Sequence, residues 1–165
     1  MPRDHVRPEM IDNPGFDLDN IRQLVRQGIP HVRALGVDVE SVEVGKMTVS
    51  LEYQARLVGN PETGVLHGGV ITTLLDTVSG LAVHAALQKF LPIATLDLRI
   101  DYLRPATPGQ TLFAFAHCYK LTRNVAFTRG IAYHDDIDDP IANTAGSFML
   151  STAGPAMGRK PKARG

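Results

Sequence analysis

One cysteine, Cys118, and no tryptophan occur among 165 residues. A single thiol excludes an intrachain disulfide, and with no apolar run near the Met1-Pro2-Arg3-Asp4 start the sequence points away from secretion and toward the cytoplasm. Neither sign of charge is in excess. Lys and Arg number 17 together, as do Asp and Glu, so no global field favours nucleic acid or an anionic membrane, and a small molecule is the expected partner. The six histidines are scattered, with no His-Glu-x-x-His and no paired cysteines, so no metal site is expected. Asp135-Asp136-Ile137-Asp138-Asp139 lacks the glycine and final glutamate of a calcium loop and reads as a solvated hairpin. P-loop and dinucleotide glycine patterns are also missing. Cys118 falls in an expected strand, where it serves packing rather than nucleophilic chemistry.

The long apolar stretch from Gly64 to Gln88 is interrupted by Gly68, Gly69, Thr72, Thr73, Asp76 and His84, which argues against a membrane span. Its apolar residues Val70, Ile71, Leu74, Leu75, Val78, Leu81, Ala82 and Ala85 recur at three- and four-residue spacing, as in a helix packed inside a protein. Asp76 is the only charged residue in that stretch. A carboxylate there is costly unless something pairs with it or uses it.

The length suits one domain with its own core. Leu18, Ile21, Leu24 and Val25 give a short amphipathic helix with Asp17 or Asp19 as N-cap, and a further turn from His31 to Leu35 stops at Gly36. From Val37 the period becomes two: a hairpin turns at Gly45-Lys46, a loop runs from Gly59 to Gly64, and the helix follows from about Gly69 to Gln88. Four strands are then expected, around Leu96–Tyr102, Phe113–Lys120, Val125–Tyr133 and Ile141–Ser151, with the two whose alternation is clearest half-buried. The expected organisation is an extension over 1–36, one domain over 37–151 and a basic tail over 152–165. A hairpin, one long helix and consecutive strands make an α+β layout in which a sheet wraps around a single helix.

The residues before the long helix have a chemical use. A helix N-terminus presents unpaired N–H groups and partial positive charge, and glycine lets a ligand approach that backbone; Gly68 and Gly69 could thereby hold an oxyanion, or could simply permit a tight turn. Asp76 could act as nucleophile or general base, or be a structural carboxylate paired with Arg99 or Arg104. Gly69 and Asp76 are seven positions apart, roughly 10.5 Å of helix rise, too far to serve one reacting centre from a single helix. Two antiparallel copies related by a twofold axis remove that difficulty. His67 could bond the ligand or hold the loop.

Asn60…Gly64-Val65-Leu66-His67-Gly68-Gly69, Asp76-Thr77 with Gly80, Asp101-Tyr102-Leu103-Arg104-Pro105 and Gly109-Gln110-Thr111-Leu112 occur in that order. Over about Leu35 to Leu150 the chain resembles hotdog-fold acyl-CoA thioesterases of the phenylacetate-degradation (PaaI-like) type. The resemblance implies a hotdog fold, an antiparallel sheet wrapped around one central helix, and hydrolysis of acyl-CoA to a carboxylic acid and CoA without a cofactor, CoA being part of the substrate. It also implies active sites at a homodimer interface, with dimers often paired into tetramers. Asp76, Gly69, His67, Asn60 and Thr95 are the implied catalytic set, although the Asn60-to-Gly64 loop is one residue longer than is common. Leu66, Gly68, Thr73, Arg104, Arg123 and Asn124 are the candidates for substrate and CoA contact, with the tail cations Arg159, Lys160, Lys162 and Arg164 a weaker set. Two alternatives stand beside hydrolysis: a non-catalytic acyl-CoA-binding regulatory module, and a hotdog dehydratase. The second would want a His-Phe-Pro-Gly motif or an Asp followed five positions later by His, and neither occurs.

Overall fold

Asp17 begins the first helix: its carboxylate accepts the Asn20 N–H at 2.9 Å, capping α1 (Leu18–Gly28). Pro30 then opens α2 (Pro30–Leu35), which Gly36 ends in a left-handed conformation at φ 81°. The computed structural model describes Asn13 and residues 15–150, so the tail cations Arg159, Lys160, Lys162 and Arg164 lie outside the described residues. Strands β1 (Val37–Glu43) and β2 (Lys46–Leu51) form the expected hairpin, and β3 (Val58–Asn60) pairs with β4 (Val65–Leu66) in a small second one. Helix α3 (Gly68–Leu87) follows, then β5 (Ile93–Tyr102), β6 (Leu112–Leu121), β7 (Val125–Tyr133) and β8 (Ala142–Leu150).

The main sheet runs β1-β2-β6-β7-β8-β5, with every neighbouring pair antiparallel. It carries α3 on one face, the α+β layout that the element order implied and the hotdog arrangement that the resemblance implied. Leu74, Leu75, Val78 and Ala82 of α3 are fully buried, facing a sheet surface that includes Leu112, Ala114 and Ala116. The small members of the β6 alternation thus point inward, while Phe113 and Phe115 lie half-buried on the opposite face, where Phe113 stacks on Tyr133 at 5.8 Å between centroids. Small side chains let the helix come close to the sheet centre. Among the described residues α3 is the only helix long and apolar enough to cross a bilayer, and 61% of its apolar window is buried in this core.

Two features differ from expectation. The N-terminal helices are part of the core: Phe16, Ile21, Val25, Val32 and Leu35 are buried in the same cluster as α3 and the sheet. Arg22 Nε also donates to the Val39 carbonyl at 2.6 Å, and Arg26 pairs with Asp38 at 2.6 Å, fastening α1 to β1. Strand β5, expected to be half-buried, is a sheet edge on which only Ile93, Leu98 and Ile100 are partly covered. Leu96, Tyr102 and the following Leu103 are 51%, 50% and 54% exposed.

Candidate active site

The start of α3 is built from the side chain just before it. His67 is extended and its Nδ1 accepts the Gly69 N–H at 2.9 Å, while its carbonyl accepts the Val70 N–H at 2.9 Å. The imidazole is therefore the N-cap, a role usually taken by a short polar side chain. A Cβ on Gly69 would fall 2.9 Å from that Nδ1, which is a packing reason for glycine here. The Gly59 position is tighter still, since its Cβ would meet His67 Cα at 2.8 Å. One amide is left over: the Gly68 N–H has no acceptor among the described residues. Its carbonyl is held instead, by the Tyr102 hydroxyl at 2.8 Å and the Thr72 hydroxyl at 3.2 Å, and those two hydroxyls lie 2.8 Å apart.

Asp76 lies two turns further along α3, half-buried, with Oδ1 accepting the Thr95 hydroxyl at 2.9 Å. No cation pairs with it among the described residues. Arg99 bonds Asp101 at 3.0 Å and Arg104 bonds Asp139 at 2.9 Å, so neither arginine is the structural partner considered for Asp76. Asp76 and Thr95 open onto a cavity of about 440 Å³, whose further lining includes Gly80, Leu81, His84, Ile93 and Phe148. His67, Gly69 and Thr73 line a different cavity of about 340 Å³. In one chain the helix start and the carboxylate thus face separate spaces.

Comparison with known proteins identifies the family. The sequence profile of the Thioesterase superfamily matches residues 63–141. The medium/long-chain acyl-CoA thioesterase YigI of Escherichia coli K12 is 30% identical over 135 residues, covering 74% of this chain and 86% of that protein. The chain belongs to the thioesterase superfamily. A candidate esterase of Halobacterium salinarum is 40% identical over 98 residues, covering 56% of this chain but only 65% of its own length. Among solved structures, a Pseudomonas aeruginosa protein is 45% identical with a TM-score of 0.72, covering 80% of this chain and 97% of that one. A point mutant of the phenylacetic acid degradation protein PaaI from Thermus thermophilus is 27% identical with a TM-score of 0.64, covering 73% of this chain and 98% of that one.

The remaining candidates are distributed unevenly over this thioesterase-superfamily chain. Asn60 is exposed, and its Oδ1 accepts the Glu62 N–H at 3.0 Å, closing the β3–β4 turn rather than joining Asp76 or His67. Leu66 is buried in the core. Thr73 returns its hydroxyl to the Gly69 carbonyl at 2.9 Å. The Arg104 fork is occupied by Asp139, whereas Arg123 and Asn124 are exposed in the β6–β7 turn.

Three residues escaped sequence reasoning. Tyr102 and Thr72 clamp Gly68; Tyr102 stood in the Asp101–Pro105 motif and Thr72 among the polar interruptions of the apolar stretch, but neither pattern signals their contact. His84 is the third: only 3% exposed, it ends the cavity that begins at Asp76. Burial pushes its imidazole below the ordinary 6.5, against the opposing bond from Nδ1 to the Lys89 carbonyl at 3.2 Å.

Proposed function

We propose that this protein is an acyl-CoA thioesterase whose active site is shared between two copies of the chain. The observation that carries the reading is Asp76: a carboxylate with no cationic partner among the described residues, steadied by Thr95 and opening on a largely apolar cavity. Such a group is suited to attack or to proton abstraction. The Gly68 amide supports the other half of the chemistry. Because His67 occupies the Gly69 N–H, the donor considered at Gly69 moves to Gly68, where an unpaired N–H at the positive end of α3 can hold the thioester oxygen as it gains charge.

In this reaction water adds to the acyl carbon, the C–S bond breaks and the CoA thiolate takes up a proton, leaving a carboxylic acid. Asp76 either attacks to form a transient anhydride or takes the proton of the attacking water, with Thr95 orienting the carboxylate. Gly68 and Asp76 are eight positions apart, roughly 12 Å of helix rise, and the cavity beside His67 and Gly69 is separate from the one beside Asp76, which favours pairing Gly68 of one copy with Asp76 of another. The ten-residue β5 edge, with Leu96 and Tyr102 half-exposed, is the surface suited to antiparallel pairing with a second copy. Arg123 and Asn124 are the preferred contacts for the CoA arm, since Arg104 is already engaged. A single cysteine suits a reducing compartment, and the reading takes the cytoplasm as the place of action.

The test is free-thiol release from a panel of short, aromatic, medium and long acyl-CoAs, with oligomeric state measured by light scattering. Tight acyl-CoA binding without turnover would favour a regulatory module instead.

A further inference from the structure

The cavity beside Asp76 has polarity at both ends and apolar walls between. Asp76, Gly80 and His84 lie on successive turns of one face of α3, so the cavity follows the helix for eight residues, about 12 Å of rise. Ile29 between α1 and α2 and Val32 of α2, with Leu81, Ile93 and Phe148, make the walls. Gly80 keeps the passage open: a Cβ there would already touch Ile93 Cδ1 at 3.6 Å and Phe148 Cε1 at 3.8 Å, leaving no room for a larger side chain beside a ligand.

At the far end His84 is only 3% exposed. Its Nδ1 faces the Lys89 carbonyl at 3.2 Å, and a carbonyl only accepts, so Nδ1 carries the proton. The ring is fixed from behind by Phe90, at 5.1 Å between centroids, and Phe90 stacks on Phe16 at 4.9 Å. In the neutral ring Nε2 then holds a lone pair; the one side-chain hydrogen bond of His84 among the described residues is that of Nδ1. An acceptor at the end of an apolar cavity lacks a partner unless the ligand or a water supplies one.

We propose that this cavity takes the acyl chain and that His84 Nε2 accepts a hydrogen bond from a hydroxyl at the chain's distal end. The proposal rests on the thioesterase reading. About 12 Å corresponds to roughly nine zigzag bonds of ~1.5 Å, so the matching substrate is an ω-hydroxyacyl-CoA of about eight to ten carbons. Few polar groups in a mostly apolar pocket are enough to set such a preference.

The experiment compares kcat/KM for 10-hydroxydecanoyl-CoA and decanoyl-CoA in the wild-type protein and in His84→Phe, which keeps an aromatic ring but removes the acceptor. The hydroxyl-to-methyl preference should fall by about 3- to 10-fold in the variant, the range of one hydrogen bond. His84→Gln, which returns an acceptor near the Nε2 position, should recover part of it. Gly80→Val provides an independent check should His84→Phe fail to fold: it should slow both ten-carbon substrates relative to acetyl-CoA. An unchanged preference in folded His84→Phe, or undiminished ten-carbon turnover in Gly80→Val, would overturn the proposal. If the wild-type protein released CoA from none of these esters, the thioesterase reading would fail by itself. Calorimetric binding of 10-hydroxydecanoate against decanoate to the wild-type protein and His84→Phe would still test the pocket, with equal preference in both proteins overturning it.

Discussion

The Thr95 hydroxyl donates to Asp76 Oδ1 at 2.9 Å, tying the start of β5 to the middle of α3. A strand residue thus fixes the orientation of a helix carboxylate that no cation holds among the described residues. With one oxygen occupied, Oδ2 is the oxygen available to a substrate or a water.

The first prediction follows from that division of labour. Asp76→Asn keeps the shape and removes the charge, so kcat for the best acyl-CoA should drop by about 10²- to 10⁴-fold, the usual contribution of a positioned base. Thr95→Val should cost less, about tenfold, because it removes a hydrogen bond to a charged group but not the group itself. Thr95→Ser should restore most of the loss. Near-native turnover in a folded Asp76→Asn protein would remove Asp76 from the mechanism.

The two glycines at the start of α3 should behave differently. A Cβ at Gly68 meets Tyr102 Oη at 3.5 Å, an ordinary contact, whereas one at Gly69 falls 2.9 Å from His67 Nδ1. Gly69→Ala should therefore displace the cap and cost about 1 kcal/mol of stability, seen as a lower Tm. Gly68→Ala should leave Tm nearly unchanged and reduce kcat/KM by about tenfold or more, because the methyl group crowds the amide offered to the oxyanion. If Gly69→Ala proved the kinetically damaging change and Gly68→Ala the destabilising one, the donor would belong at Gly69.

These residues also show how far sequence reading reaches. The bounds of α3 came within one residue, because Leu66-His67-Gly68-Gly69 marks its start and the apolar repeat runs without a break to Ala85. Asp76 stood out for the same reason, as a lone charge in that repeat. The β3–β4 hairpin was hidden inside an expected loop, since strands of three and two residues are too short to show a period. The pairing of β5 with β8 joins Tyr102 to Ala142 across the rest of the sheet, a relationship no local pattern encodes. The Thr72–Tyr102 clamp and the buried end at His84 depend on that same tertiary placement.

His84 should also leave a signature in acid. Its folded pKa lies below the ordinary 6.5 of the unfolded chain, because burial disfavours the charged ring. The unfolded state therefore takes up the proton first. The His84 contribution is complete above about pH 6.5 and is lost as pH falls from there through the folded pKa. His117, depressed by burial and by Arg129 and Lys46, acts with the same sign. His84→Gln should thus flatten, without abolishing, the fall in Tm between about pH 7 and 5. Superimposable pH profiles for the two proteins would show that His84 is charged as readily in the folded chain as outside it.

The proposed sharing of the site between two copies has a direct test, because each defect can be placed on a different chain. Asp76→Asn removes the carboxylate, and Gly68→Val covers the amide with a branched side chain; each homodimer should be inactive. When subunits exchange, a heterodimer should have one site built from wild-type Gly68 and wild-type Asp76, while its other site carries both defects. Random exchange makes about half of the dimers mixed, and one working site in each restores about a quarter of wild-type activity if the sites act independently. Native mass spectrometry can count the heterodimers while thiol release measures their turnover. A population rich in heterodimers yet no more active than its parents would confine the chemistry to one chain, and Gly68 would then need a donor role outside the reach of Asp76.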